Sequence, residues 1–405
     1  MYNDYSTYKI IVTLNKDCAY SDLPEIYCGL DVDKTMLIYK PDNSDKLYKA
    51  DTNDESGMGY IICLHLKNKD KAGVDAAVEK LMESPHVAYA EPDYYYGGYM
   101  IPNDRYFDNL WGTKKVNSHL AWDYSTGSNN IVVGVTDSGI DYNHPDIQAN
   151  MWISPDKKHI NGRNFADDYN NWDSMDTSGH GTHVAGTIGA VGNNFVGIPG
   201  ICWNIKLAAL KIGSGVFSLG AAIQSIDFAN KYRIPVLNNS WGGRTYSPSL
   251  KYAISDYDGL FVTAAGNYGT NNDYIPDYPS SYDCDNIISV AASDPRDQLA
   301  SFSNYGAKSV DIAAPGTDIL SLESQGDYTY KNGTSMAAPH VAGAAALLKA
   351  YMPHLNTPQI KNIILASARK HANLEGKILT GGVLDINAML ETARNQASIF
   401  NYANI

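Results

Sequence analysis

The chain has 405 residues, a formal net charge of −13 and a pI near 5.1. This length exceeds what one hydrophobic core usually holds, so we expect at least two domains. The negative charge argues against nucleic acid as a partner, and no apolar run is long enough to cross a membrane. The five cysteines show neither metal-ligand spacing nor the density of a disulfide scaffold, so we expect most of them to be small buried side chains.

Residues 1–99 are rich in Asp, Lys and Tyr and poor in Gly. Within them, residues 9–14 and 60–66 have the pattern of strands, and residues 71–82 have that of an amphipathic helix. Residues 86–90 predict a last short strand. The sequence therefore predicts a small α+β domain that ends near residue 99.

Strands and helices alternate after residue 100. The pattern predicts strands at 131–136, 205–212, 235–240, 260–265 and 287–292, and helices at 219–233, 357–370 and 384–395. This alternation predicts an α/β fold with a doubly wound, mostly parallel sheet.

Three segments place a reactive side chain at the boundary of an element. The first strand of this region delivers Asp137 at its carboxyl end, where open α/β sheets bind ligands. His180 is flanked by glycines and opens a helix of small residues. Ser335, in Asn332-Gly-Thr-Ser-Met-Ala-Ala-Pro-His340, begins an Ala/Leu-rich helix whose free N–H groups and dipole suit a developing negative charge. Taken alone, Ser335 could equally be a helix cap.

In the order Asp, His, Ser, these segments resemble the signatures of the subtilisin-like serine proteases, and of the thermitase-like members in particular. The resemblance extends from about Met100 to the C-terminus. It implies a serine endopeptidase acting on polypeptides, with residues 100–405 as the peptidase domain and Asp137, His180 and Ser335 as the catalytic triad. It also implies that catalysis needs no cofactor, and we expect a monomer.

The resemblance assigns further residues around the triad. Ala264-Ala-Gly-Asn267 is similar to the family's oxyanion-hole segment, so the Asn267 amide and the Ser335 N–H would face the oxygen that becomes negative. The resemblance also implies that the substrate lies as an added β-strand against Asn239-Ser-Trp-Gly-Gly243, and that the substrate-binding residues include Ser240, Trp241, Gly242, Ala265 and Gly266.

The first domain has a family counterpart as well. Its strand, its helix and the ending Glu91-Pro-Asp93 resemble the inhibitory propeptides of secreted subtilisin-like proteases, although an unrelated α+β domain is the alternative. The resemblance implies that residues 1–99 act as an intramolecular inhibitor and that the enzyme cuts itself after Tyr99, which makes Met100 the new N-terminus. Residues 1–20 contain no signal peptide, but the resemblance implies a secreted, extracellular enzyme.

Two clues to side-chain preference disagree. Asp277 aligns with the floor of the family's primary specificity pocket, where a carboxylate would favour Lys or Arg in the substrate. Tyr99, at the expected self-cleavage point, indicates a pocket that accepts an aromatic ring instead.

A structural calcium ion is implied by the thermitase-like N-terminal arm. Asp104 and Asp146 are in register with that site, and calcium takes six to eight oxygen ligands. The remaining oxygens would come from the Asn194 side chain and the carbonyls of Val191, Val196 and Ile198; ordinary turn residues are the alternative. For the acidic loop with Asp167, Asp168, Asp173 and Asp176, a solvated loop is favoured over a second calcium site.

Two other classes of function fit the sequence less well. A catalytically silent protein that binds peptides or regulates a partner would keep the fold but lose a catalytic residue, whereas Asp137, His180, Asn267 and Ser335 are all present. A structural or adhesive protein would be expected to show repeats or appended modules, and the sequence shows neither.

Overall fold

The computed structural model describes residues 5–18, 22–40, 58–94, 100–167 and 172–402. The chain divides into two compact units, Met1–Gly98 and Tyr99–Ile405. None of the helices in the described ranges combines the length and apolarity needed to cross a membrane. All five cysteines lie in the described ranges as reduced thiols, and Cys18, Cys63 and Cys202 are buried.

The first unit is an antiparallel sheet packed against one long helix. In chain order it contains β1 (Tyr5–Asn15), α1 (Leu23–Ile26), β2 (Val32–Tyr39), β3 (Met58–Leu66), α2 (Lys71–Met82) and β4 (Val87–Tyr94), with strand order β2-β3-β1-β4. Alternate residues of β1 and β3 face α2, so Ile10, Val12, Ile62 and Val74 form the core. Asp70 caps α2 by accepting a hydrogen bond from Gly73 N at 2.7 Å.

The second unit holds the remaining elements. They are α3 (Trp111–Lys115), α4 (Ser118–Ala121), β5 (Gly127–Asp137), β6 (Gly162–Asn164), α5 (His180–Gly189), β7 (Asn204–Lys211), α6 (Leu219–Lys231), β8 (Val236–Asn239), α7 (Pro248–Ser255), β9 (Leu260–Ala264), β10 (Ile287–Ser293), β11 (Ile312–Pro315), β12 (Ile319–Glu323), β13 (Asp327–Lys331), α8 (Thr334–Tyr351), α9 (Thr357–Ala366), β14 (Arg369–Lys370), β15 (Gly382–Val383) and α10 (Ile386–Tyr402).

A nine-stranded sheet forms the centre of this unit, in the order β14-β15-β11-β10-β9-β8-β5-β7-β6. All neighbouring strands are parallel except β14 and β15. The helices α5 and α8 pack on one face, and α6 and α7 pack on the other. The predicted α/β, doubly wound, mostly parallel sheet is confirmed.

The strand order reverses at β5, because β7 lies on one side of it and β8 on the other. A crevice forms at such a reversal beyond the carboxyl ends of the strands, since the following connections leave in opposite directions. Asp137 is the last residue of β5, so it stands at this crevice.

The helix α8 is buried along most of its length. Its small residues allow close packing against α5 and the segment that follows it, since the Cβ that Gly343 lacks would lie 3.1 Å from the Ile188 carbonyl oxygen in α5 and 2.8 Å from the Ile201 Cβ in that segment. The hairpin of β12 and β13 leads directly into the N-terminus of α8. Core packing thus fixes the element that carries Ser335.

Candidate active site

Asp137 and His180 form a hydrogen-bonded pair at the carboxyl edge of the sheet. The His180 Nδ1 and the Asp137 Oδ1 are 2.8 Å apart, and Asp137 is fully buried. The same Oδ1 accepts a bond from Ser138 N at 2.7 Å, which orients the carboxylate. About a third of the His180 side chain is exposed, so the other ring nitrogen can face a substrate.

His180 is the first residue of α5. It follows Gly179, whose φ of 78° lies in the left-handed region that favours glycine. Burial alone would lower the pKa of His180, but the charge of Asp137 and the hydrogen bond to it raise the pKa above its ordinary value. The ring therefore gains stability as a cation when it takes up a proton.

Ser335 is the second residue of α8 and is bound to the end of β8. Its hydroxyl donates to the Ser240 carbonyl oxygen at 3.1 Å, and the Ser240 hydroxyl donates to the Ser335 carbonyl oxygen at 2.9 Å. Thr136 and Asn239 are paired in neighbouring parallel strands, so Asp137 and Ser240 extend side by side beyond them. His180 is therefore hydrogen-bonded to the last residue of β5, and Ser335 is hydrogen-bonded to the residue that follows the adjacent strand β8. In the described residues, the Ser335 hydroxyl bonds to Ser240 and not to His180.

Asn267 lies just beyond the end of β9 and next to the start of α8. Its Oδ1 accepts hydrogen bonds from the backbone N and the hydroxyl of Thr334, at 2.8 and 3.0 Å. These bonds fix the amide group, and its Nδ2 makes no hydrogen bond with the described residues. A donor is thereby held beside Ser335 with its N–H groups available.

The segment of Ser240, Trp241 and Gly242 presents an open backbone edge. The N–H and carbonyl groups of Trp241 and Gly242 form no hydrogen bonds within the described residues, whereas Gly243 pairs with Tyr278 in both directions, at 2.7 and 2.8 Å. An extended peptide could add to this edge as a strand. Ala265 and Gly266 follow β9 on the other side, and Gly266 N donates to the Thr334 hydroxyl.

The predicted calcium ligands lie together in the second unit. The buried Asp104 accepts a bond from Asn193 N at 2.7 Å through Oδ2, while its Oδ1 has no partner among the described residues. Asp146 is also buried, and it accepts bonds from Asn194 Nδ2 and Ile198 N, each at 2.8 Å. Burial raises the pKa of both carboxyl groups to about 6.

The loop that follows α5 places backbone carbonyl oxygens near Asp104 and Asp146. Those of Val191, Val196 and Ile198 accept no hydrogen bond from the described part of the chain. Unpaired oxygens beside two buried carboxylates suit a hard cation, which prefers oxygen ligands. The described residues contain no group of three or more His, Cys, Asp or Glu side chains that could hold a metal, so this site rests on two acids.

The acidic loop is only partly solvated, because Asp167 and Asp173 are exposed but Asp176 is buried. Asp176 is buried and accepts bonds from the N–H and the hydroxyl of Thr182, at 2.9 and 2.7 Å, so it anchors the first turn of α5. Asp173 is exposed and accepts a bond from the Tyr142 hydroxyl. Asp168 lies outside the described residues.

Three further histidines near the motifs are bonded to backbone groups. His183 contacts the carbonyl oxygens of Ile319 and Thr329, and His340 contacts that of Met336. Burial lowers the pKa of His183 to about 3 and that of His340 to about 4, so both stay neutral. His144 Nδ1 accepts a bond from Asp146 N. These contacts fit structural roles.

Sequence reasoning missed one contact to the turn that holds His180. The Lys331 ammonium group donates to the Gly179 carbonyl oxygen and pairs with Glu323, both at 2.9 Å. Lys331 and Glu323 come from the hairpin of β12 and β13, which is far from Gly179 in the sequence. No local pattern in the sequence indicates this contact.

The expected processing site, between Tyr99 and Met100, is one residue beyond the division of the chain into units after Gly98. Tyr99 lies outside the described residues. Met100 is exposed, and its N–H donates to Asp123 Oδ1 at 2.8 Å.

A family profile described as the subtilase family matches residues 128–389. The chain therefore belongs to the subtilase family, in agreement with the fold and with the arrangement of Asp137, His180 and Ser335.

Individual relatives agree with this assignment. The chain is 40% identical over 283 residues to the thermophilic serine proteinase of Bacillus sp. strain AK1, covering 68% of this chain and 66% of that protein. It is 36% identical over 255 residues to thermitase of Thermoactinomyces vulgaris, covering 61% and 85%. A solved protease from Pseudoalteromonas arctica aligns with a TM-score of 0.64 at 28% identity, covering 73% of this chain and all of that one.

Proposed function

We propose that the protein is a serine endopeptidase that hydrolyses peptide bonds through an acyl-enzyme intermediate. One observation carries the proposal: the Asp137–His180 pair and the Ser335 hydroxyl are held at the ends of two adjacent strands. Membership of a family whose matched relatives are named serine proteinases supports it.

In the proposed reaction, the Ser335 hydroxyl turns from the Ser240 carbonyl towards His180. His180 takes its proton as Ser335 attacks the peptide carbonyl, and then gives that proton to the leaving amine. Asp137 holds the ring in the required tautomer and stabilises the cation. The raised pKa of His180 is consistent with this role. A water molecule then attacks the acyl-enzyme by the same proton transfers.

The tetrahedral intermediate carries a negative oxygen that needs donors. Asn267 Nδ2 and the Ser335 backbone N–H are the donors that we assign to it, because the bonds to Thr334 fix the Asn267 amide beside Ser335. Groups that are already oriented before reaction stabilise charge without reorganisation.

We further propose that the protein is made as a zymogen. Residues 1–99 would be an inhibitory propeptide, removed by self-cleavage between Tyr99 and Met100. The separation of the chain into units at Gly98 and Tyr99 is consistent with this proposal. We also propose that the enzyme is secreted, because an inhibited precursor would protect the producing cell until the enzyme is exported. N-terminal sequencing of the processed protein tests the cleavage point, and a start distant from Met100 would contradict it.

We also propose a structural calcium site. Asp104, Asp146, Asn194 and the carbonyls of Val191, Val196 and Ile198 would hold the ion. When bound, calcium would neutralise the two buried carboxylates and tie the N-terminal arm to the loop after α5. It takes no part in the chemical steps.

Hydrolysis of casein by the protein purified after removal of residues 1–99 tests the proposed activity. We expect hydrolysis to be blocked by a serine-directed fluorophosphonate and lost in Ser335→Ala. Peptide binding without hydrolysis, by wild-type protein from which another protease has removed residues 1–99, would instead support the catalytically silent alternative.

A further inference from the structure

The turn that precedes His180 is held from outside by a charged side chain. The Gly179 carbonyl oxygen accepts two hydrogen bonds, one from His183 N at 3.2 Å within α5 and one from the Lys331 ammonium group at 2.9 Å. The ammonium group also pairs with a Glu323 carboxylate oxygen at 2.9 Å. The Lys331 and Glu323 side chains are 25% and 29% exposed, so solvent screens this pair less than it screens a fully exposed one.

The two charged residues belong to the hairpin that leads into α8. Glu323 is the last residue of β12 and Lys331 is the last residue of β13, so they start from opposite ends of the hairpin. Their side chains meet at Gly179, where an added Cβ would overlap the Glu323 carboxylate. Ser335 follows Lys331 by four residues. One element therefore holds the start of α5 and leads directly to the nucleophile.

The bond from Lys331 acts on His180 through a peptide plane. The Gly179 carbonyl and the His180 N–H belong to one planar group, so holding the carbonyl also fixes the direction in which the His180 side chain leaves the backbone. At its other end the ring is bonded to Asp137 through Nδ1, while about a third of the side chain is exposed and is not held by packing. A displacement of about 1 Å at a catalytic group can lower the rate by about 10²-fold.

Electrostatics alone would not favour a lysine at this position. The pKa of His180 is lowered by burial and, less strongly, by the charge of Lys331, although Asp137 raises it above its ordinary value. Lys331 therefore opposes the cation that forms when the ring takes up a proton, and Glu323 offsets only part of its charge. Its favourable contribution is the restraint that it places on the Gly179 carbonyl.

We propose that Lys331, anchored by Glu323, is a positioning residue that sets the orientation of His180 for proton transfer with Ser335. This inference rests on the proposed protease function and adds a residue to its machinery. Because Lys331 acts through the Gly179 carbonyl, its loss should slow the chemical steps and leave substrate binding largely unchanged.

The test measures kcat and KM for one chromogenic peptide across a range of pH, using the processed enzyme. On the alkaline plateau His180 is neutral in every variant, so kcat there reports the geometry of the ring and not its pKa. Lys331→Met keeps most of the aliphatic stem but cannot donate a hydrogen bond, so the plateau kcat should fall by about tenfold, with KM within about twofold of the parent value.

Conservative variants separate the bond from the bulk of the side chain. Lys331→Arg keeps a donor and a positive charge, so its plateau kcat should stay within about twofold of the wild type. Glu323→Gln removes the charge that anchors Lys331 and should give a plateau kcat between those of the wild type and Lys331→Met.

Lys114→Met is the matched control. The Lys114 ammonium group also bonds to a backbone carbonyl oxygen and to a carboxylate, both of Asp108, at 3.3 and 3.0 Å, but it lies on α3, which carries no catalytic residue. This substitution should leave the plateau kcat unchanged. In a Ser335→Ala background, both methionine variants should unfold within about 2 °C of their parent, because partly exposed ion pairs contribute little to stability.

Three outcomes would overturn the inference: a plateau kcat for Lys331→Met equal to that for Lys114→Met, an equal loss of kcat in Lys331→Arg and Lys331→Met, or a loss confined to KM. A wild-type enzyme that cleaves neither the peptide nor casein would instead count against the protease function itself.

Discussion

The contact between α5 and α8 should control both stability and catalysis, and Gly343→Ala tests it. A methyl group at this position would lie 2.8 Å from the Ile201 Cβ and 3.1 Å from the Ile188 carbonyl oxygen. Neither atom is the end of a flexible side chain, so α8 must shift away from α5, which contains Ile188, and from the segment after α5 that contains Ile201. Overpacking of this kind costs about 1–3 kcal/mol, while replacing a helical glycine with alanine returns at most about 1 kcal/mol.

We therefore expect a net loss of about 1 kcal/mol, which corresponds to a Tm lower by about 1–2 °C, because a unit of roughly 300 residues has an unfolding entropy of about 0.6 kcal/mol/K. Since α8 carries Ser335 and α5 carries His180, their separation should also lower kcat by about tenfold or more. Stability is measured by thermal unfolding in a Ser335→Ala background, which prevents self-digestion. Activity is measured in the parent enzyme.

Gly220→Ala is the matched control. Gly220 is an exposed residue of α6, and the nearest atom to its added Cβ is 3.8 Å away. The same substitution should there raise the Tm slightly and leave kcat unchanged. If Gly343→Ala is as stable and as active as Gly220→Ala, the packing argument for the position of Ser335 is wrong.

Three further predictions concern individual groups. Asn267→Asp keeps the oxygen that binds Thr334 but removes the N–H donor, so kcat should fall by about 10²–10³ or more with little change in KM, and an unchanged kcat would exclude the assigned role. Lys331→Met removes a cation that lowers the pKa of His180, so this pKa should rise. Because the neutral His180 ring is the base, the acid limb of the kcat/KM profile should then move to higher pH. A shift of that limb to lower pH would refute this assignment. Chelation by EGTA should lower the Tm of the wild type but have little effect on Asp104→Asn, and equal responses would contradict the calcium site.

The second unit was largely predictable, because its buried strands are apolar runs separated by helical patterns. The helix at Lys71–Met82 was also predicted with its observed bounds. The strand β2 was missed because it is an edge strand, and Met36, Leu37, Ile38 and Tyr39 are all exposed, which removes the alternation that marks a half-buried strand.

For the candidate site too, the sequence predicts only those residues that stand in a recognisable local pattern. Motifs identify Asp137, His180 and Ser335 because each side chain stands beside local turn and helix signals. Contacts that depend on the folded chain have no such signal. The hairpin that brings Lys331 to Gly179 and the bonds from Thr334 to Asn267 connect segments far apart in sequence.

Ser335, activated by His180 and Asp137, is the nucleophile that we assign. Its role is measured by mass spectrometry of the processed enzyme after reaction with a fluorophosphonate, together with casein hydrolysis by the same sample. We expect one label per molecule, on Ser335, with loss of hydrolysis in proportion to labelling. A label on another residue, or casein hydrolysis that persists in purified Ser335→Ala, would contradict it.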